Sequence, residues 1–124
     1  MEWKGWRINP QVCYDLRFPV FCRNRHDVEL PGGLDFDLQI FVANWPSARA
    51  HAWKTLLRAR AIENLCYVAA VNRVGVDGNG LHYAGDSAVI DFLGQHQVEL
   101  REREQVATTT ISAQALAEYR TLFP

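Results

Sequence analysis

What the chain lacks narrows its class first. Its 124 residues contain no uninterrupted apolar run near the ~20 residues that a membrane-spanning helix needs. No basic stretch leads into an apolar one at the N-terminus, so no secretory leader is read and a cytoplasmic location is expected. Charge of either sign is not in excess: 13 Lys and Arg against 14 Asp and Glu leave −1. Such a balance gives no field to draw in nucleic acid or an anionic membrane, and neither is expected as a partner. Cys13, Cys22 and Cys66 are odd in number and form no C-x-x-C pair, which argues for reduced thiols over a disulfide framework. The four histidines (His26, His51, His82, His96) include no pair at i, i+4, so no metal and no cofactor are expected. The glycine-rich stretch from Gly75 to Gly85 lacks the Gly-Lys-Ser/Thr ending of a phosphate cradle.

What is present is one domain's worth of chain, 48% apolar, enough to bury a core. Residues 6–12 read as a strand with Pro10 inside it, and residues 18–26 as a short helix with Pro19 in its first turn. Residues 38–43 are nearly continuous apolar sequence, the pattern of a strand buried on both faces. Residues 49–65 read as a helix, with Ala50, Trp53, Leu57, Ala61 and Leu65 on one stripe and Lys54, Arg58 and Glu63 off it. Ser47 is the expected N-cap. A second buried strand is expected at 66–71 and a long mobile loop at 75–86. Strands follow at 88–92, 97–102 and 106–111, then a helix at 113–122 with Leu116, Tyr119 and Leu122 on one face. The order β-α-β-α-β-β-β-β-α describes an α/β layered domain.

Chemistry gathers at the end of the first strand, where the apolar run closes on Cys13 and passes at once into Tyr14-Asp15-Leu16-Arg17-Phe18-Pro19. A cysteine at the carboxyl end of a strand, at a sharp turn, is displayed as α/β hydrolases display a nucleophile. The helix predicted from residue 18 offers its positive end to a thiolate. The backbone N–H of Tyr14 is placed to complete an oxyanion hole, a contribution of ~3 kcal/mol where such donors have been removed. The plainer alternative is an inert buried thiol, the commoner fate of cysteine in an apolar strand and the one expected for Cys22 and Cys66. Asp15 and Arg17 read as a turn-fixing ion pair, with Arg17 equally able to meet a substrate carboxylate. Asn44 and Trp45 end the next strand and Arg73 follows the third, all at the sheet edge where α/β proteins bind ligands. Arg73 fits a carboxylate grip or a loop salt bridge. Arg60 and Glu63 read as a helix-surface pair of ~0.3 kcal/mol.

The run Gln11-Val12-Cys13-Tyr14-Asp15-Leu16-Arg17-Phe18-Pro19 resembles the nucleophile motif of the nitrilase (carbon–nitrogen hydrolase) superfamily. Asn44-Trp45-Pro46, Arg58 to Asn64, Asn72-Arg73-Val74-Gly75, Gly85-Asp86-Ser87 and Ile90 to Gly94 follow in that family's order. The combination looks most like the omega-amidase branch, which acts on the terminal amide of 2-oxo-dicarboxylic monoamides. The resemblance implies an α-β-β-α sandwich and a Glu-Lys-Cys triad. In it the thiolate attacks the amide carbon, the Glu shuttles protons and the Lys stabilises the oxyanion; ammonia leaves and water cleaves the thioester.

Only the cysteine of that triad is matched, since Glu2 and Lys4 do not fit the family's motifs. The fold class expected is therefore α/β, half of an α-β-β-α four-layer sandwich, with residues 1–124 forming the carboxyl-terminal part of a carbon–nitrogen hydrolase domain. The expected function is cysteine-dependent hydrolysis of a small-molecule amide through a thioester on Cys13. Tyr14 supplies an oxyanion N–H, and Asn44, Trp45, Arg73 and Arg17 bind substrate. Expected alternatives are an inactive truncated fragment or interaction module, a thiol-dependent acyltransferase, or another branch such as a carbamoylase. The helix after the nucleophile and the 49–65 helix resemble elements that cross a subunit interface, so a homodimer or higher even assembly using Phe21 and Trp53 is expected.

Overall fold

The computed structural model describes residues 1–123. Eight strands form in chain order: β1 (Glu2–Trp3), β2 (Trp6–Val12), β3 (Leu38–Ala43), β4 (Tyr67–Asn72), β5 (Val74–Val76), β6 (His82–Ala84), β7 (Ala88–Ile90) and β8 (His96–Glu99). Three α-helices join them: α1 (Pro19–Cys22), α2 (Ala50–Asn64) and α3 (Ala113–Leu122). Single 3₁₀ turns lie at Cys13–Arg17, Pro31–Gly33 and Ser47–Arg49.

Six strands make one sheet in the order β1-β2-β3-β4-β7-β8, with β2, β3 and β4 parallel and the outer pairs antiparallel; β5 and β6 form a separate hairpin. Alternation along the parallel strands decides what each face does. On one face Phe41, Val68, Ala70, Ala88 and Ile90 pack against Trp53, Leu57 and Ala61 of α2 and bury the core. The opposite face runs in register through the rows Ile8–Leu38–Tyr67, Pro10–Ile40–Ala69 and Val12–Val42–Val71. Ile8 and Tyr67 are buried, but Val12, Val42 and Val71 are 66%, 58% and 60% exposed, an apolar stripe across three adjacent strands. A sheet with one helical layer and one open apolar face is half of a four-layer sandwich.

The terminal helix α3 is tied to the amino-terminal end of the parallel strands. Arg120 donates to the Asp37 carboxylate at 2.6 Å, to Phe36 O at 2.8 Å and to Leu65 O at 2.9 Å. Tyr119 stacks on Phe92, and Phe92 meets Tyr67 edge-on.

The strands at 6–12 and 38–43 and the helix at 113–122 form as the sequence predicts, and α2 falls one residue short of its expected range at each end. Several expectations are corrected. No strand forms at 106–111 among the described residues: the segment runs exposed, with Val106 at 95%, because β-branched sequence pairs only where a neighbouring strand offers a ladder. The expected loop at 75–86 holds the β5–β6 hairpin. Ser47 does not cap α2; its hydroxyl donates to His82 O and meets the His82 ring at 2.9 Å, which ties the β3–α2 turn to the hairpin. Trp53 is fully buried and not available to a partner subunit. Arg60 is 4% exposed, an interior side chain and not a surface one.

Candidate active site

The carboxyl ends of β2, β3 and β4 lie side by side, because Val12, Val42 and Val71 are in register. Parallel strands thus deliver Cys13, Asn44 and Arg73 to one edge. Cys13 opens the 3₁₀ turn with φ 45°, a left-handed conformation that costs a non-glycine residue of the order of 1–2 kcal/mol.

Neighbouring groups enforce that corner. The Asp15 carboxylate accepts from Val12 N at 2.9 Å, and Asp15 O accepts from Phe18 N at 2.9 Å. From the inside, Leu16 is fully buried, the Cys22 thiol contacts Asp15 O at 3.2 Å and Arg60 donates to Leu16 O at 2.6 Å. Held so, Cys13 is partly exposed, and its Sγ lies 3.8 Å from Asn44 O.

The expected site residues sit around this edge in different ways. Asn44 is exposed. Trp45 is 3% exposed; its indole N–H donates to Arg49 O at 2.8 Å and its ring packs 5.6 Å from that of Trp53. It is a core residue, covered by the Arg17 guanidinium 5.2 Å above its ring. Arg17 makes no ion pair with Asp15, whose carboxylate is engaged by the turn. Arg73 is exposed and lies over the Tyr83 ring at 4.7 Å, not in a loop salt bridge. Both guanidinium groups therefore lie over aromatic rings, and a guanidinium is the side chain suited to meeting a carboxylate. The Tyr14 ring is 59% exposed, edge-on to Phe18 at 5.5 Å. The α1 helix has four residues, too short for the aligned dipoles that a helix N-terminus brings to a thiolate.

The two other thiols differ from Cys13. Burial raises the Cys22 thiol above its ordinary range against the opposing pull of Arg60, and burial pushes Cys66 up to about 12. Both stay protonated and closed to solvent. Beside Arg73, the Asp77 carboxylate accepts from the N–H groups of Leu81 and Asn79 and from Tyr83 OH at 2.9 Å; these bonds, led by that from Leu81, hold it below its ordinary range.

Three contacts escape sequence reading. Asn72, 8% exposed, binds the backbone of Trp45 and Gly85 through its amide. Trp53 Nε1 donates to Asp86 O at 2.9 Å, and Lys54 pairs with the Asp86 carboxylate at 3.4 Å. Asparagine at a strand end is the one available signal for the first, and Asp86 is marked only as part of the Gly85-Asp86-Ser87 run. Among the described residues no group of three His, Cys, Asp or Glu side chains is set to hold a metal ion. No described helix is long and apolar enough to cross a membrane.

A family model for carbon–nitrogen hydrolases matches residues 1–121. The chain is 51% identical to the omega-amidase YafV of Yersinia enterocolitica over 125 residues, covering 100% of this chain and 46% of that protein. It superposes with a TM-score of 0.97 and 87% identity on the CN-hydrolase superfamily protein of Xanthomonas campestris crystallised with an arsenic adduct in its active site, covering 100% of this chain and 47% of that one. A mutant amidase from Nesterenkonia, with acrylamide added at its active site cysteine, matches at a TM-score of 0.68 and 28% identity, over 82% of this chain and 37% of that one. The chain spans about half the length of the curated relatives it matches.

Proposed function

The chain belongs to the carbon–nitrogen hydrolase family, and we propose that it supplies the nucleophile of a cysteine-dependent amidase. Residues 1–124 act in this reading as the carboxyl-terminal part of the hydrolase domain. The observation that carries it is Cys13 itself: a partly exposed thiol on a left-handed corner, at the carboxyl end of a parallel strand, fastened by the Asp15 and Arg60 bonds to the turn. Sγ adds to the amide carbon, the proton given up by the thiol passes to the departing nitrogen, the C–N bond breaks and ammonia leaves. Water then cleaves the thioester to return the thiol and release a carboxylate. The acid–base Glu and the oxyanion-stabilising Lys of the family's triad come from sequence outside these residues.

The substrate class is the omega-amide of a 2-oxo-dicarboxylic acid. The name of the Yersinia relative supports the omega-amide, and Arg17 and Arg73 support an anionic far end. Asn44 lines the same edge, while Trp45 serves as the bed on which Arg17 lies. Tyr14 N–H completes the oxyanion hole. Assembly is a homodimer or higher even oligomer through the exposed aromatics of α1 and its preceding turn, where Phe21 is 72% and Phe18 45% exposed. Reduced thiols fit a cytoplasmic location.

The test uses the full-length protein: ammonia release from an omega-amide of a 2-oxo-dicarboxylic acid and from a carbamoyl amino acid, each repeated with Cys13→Ala. The reading expects turnover of the first substrate only, abolished by the substitution. Preference for the carbamoyl compound moves the protein to the carbamoylase branch, and undiminished turnover by Cys13→Ala overturns the nucleophile.

A further inference from the structure

We infer that Asn72 is a positioning residue for the Cys13 thiol, acting through the single peptide plane that faces Sγ. The inference rests on the reading of Cys13 as nucleophile. Asn44 O, 3.8 Å from Sγ, belongs to the peptide that joins Asn44 to Trp45. The N–H of that same peptide donates to Asn72 Oδ1 at 2.7 Å. A trans peptide is planar, with C=O and N–H pointing oppositely, and no cis bond occurs among the described residues. Fixing the N–H therefore fixes where the carbonyl points, and here it points at the sulfur.

The hold on Trp45 is two-sided, since Asn72 Nδ2 also donates to Trp45 O at 3.0 Å. The second Nδ2 bond, 2.9 Å to Gly85 O, ties this unit to the turn after the hairpin, and Asn72 N donates to Ser87 Oγ at 2.9 Å. Asn72 follows directly on β4's Val71 and precedes Arg73, so its own backbone is fixed by the sheet. The frame of the sheet is thus transmitted to the atom facing the thiol through one buried amide.

The molecule contains its own control. At the other end of β3, Asn24 grips Phe36 in the same two-point manner: Phe36 N donates to its Oδ1 at 3.0 Å and its Nδ2 donates to Phe36 O at 2.8 Å. Asn24 is 9% exposed and Asn72 8%. Equal burial and equal bonding make the structural cost of losing either side chain comparable. Asn72 bonds the very peptide that faces Sγ, whereas Asn24 reaches the turn only through Asn64, Cys22 and Asp15 in succession.

The experiment compares Asn72→Ala and Asn24→Ala in the full-length protein, with Cys13→Ala alongside. Melting temperatures should fall by similar amounts in both. Asn72→Ala should lose roughly 10–100-fold in kcat with KM held within about threefold, the scale on which a small misplacement of a reacting group acts. The rate at which iodoacetamide labels Cys13 should change with it, while Asn24→Ala keeps both quantities within about twofold of wild type. If Asn72→Ala does not fold, the split is read on Asn72→Leu against Asn24→Leu, which are close in size to asparagine and lose the Oδ1 acceptor together with the donors. A kcat that falls equally in the two members of a pair, or in neither, overturns the inference. An active Cys13→Ala variant overturns the nucleophile reading instead, so the two failures are told apart.

Discussion

The guanidinium of Arg60, near the carboxyl-terminal end of α2, donates at 2.6 Å to the carbonyl of Leu16 in the turn that begins at Cys13. Its other arm meets Glu63 at 2.8 Å, and its Nε has no partner. What the sequence presents as a helix-surface pair is a strut beneath the reactive corner. Helix spacing fixes that Arg60 and Glu63 are neighbours, but which face of α2 turns inward depends on where the sheet lies.

Arg60→Met should therefore destabilise the full-length protein by about 2 kcal/mol, the cost of orphaning a buried carbonyl. Glu63→Gln should cost under about 1 kcal/mol, because its carboxylate is 44% exposed and screened. Urea titrations of the two variants check the contrast, and equal losses would place Arg60 at the surface after all.

Acid should unfold the protein partly through Asp37. Burial pushes its carboxyl up, but hydrogen bonds from Arg7 and Arg120 outweigh that and hold it below the ordinary 3.8. A carboxylate with a depressed folded pKa contributes stability that is complete above its unfolded value and is lost as pH falls through the folded one. Wild type should thus lose stability progressively below about pH 4. Asp37→Asn should be weaker at neutral pH, by about 3 kcal/mol for a half-broken buried pair, and flatter across the acid range. Urea midpoints measured from neutral pH into that acid range decide it.

Of the three cysteines only Cys13 should react with iodoacetamide in the folded protein. Cys22 and Cys66 are buried, and the Cys66 thiol is pushed up to about 12. Peptide mass spectrometry should find one labelled cysteine in this segment before denaturation and three after it.

Gly85→Ala should cost about 2 kcal/mol. Its φ is +72°, and a Cβ there would meet Val74 Cγ1 at 2.7 Å and Arg101 O at 3.2 Å. Gly78→Ala, with nothing within 4 Å and no positive φ, should be neutral or slightly stabilising. Thermal melts of the pair separate a required glycine from a permissive one in the same glycine-rich stretch.

The strand at 38–43 was legible because nearly continuous apolar sequence and a following turn leave few alternatives, and that at 6–12, of mixed polarity, because the turn at Cys13 ends it. The segment at 106–111 was misread for the opposite reason: Val-Ala-Thr-Thr-Thr-Ile has every local preference for a strand, but pairing is a property of neighbours. Cys13, Asn44 and Arg73 could be placed at one edge, since strand ends in parallel α/β units converge. The burial of Trp45 and the clamp of Asn72 could not, because the lid over Trp45 comes from Arg17 on another segment and the clamp joins residues 27 apart in the chain.

The backbone at position 13 also restricts what chemistry this corner can ever host. At φ 45° a side chain with a single heavy atom on Cβ is tolerated, whereas a β-branched one collides with its own main chain. Sulfur can be exchanged for oxygen here as serine but not as threonine. Evolution of a new reactive atom at this corner is thus confined to unbranched residues unless the turn itself is rebuilt.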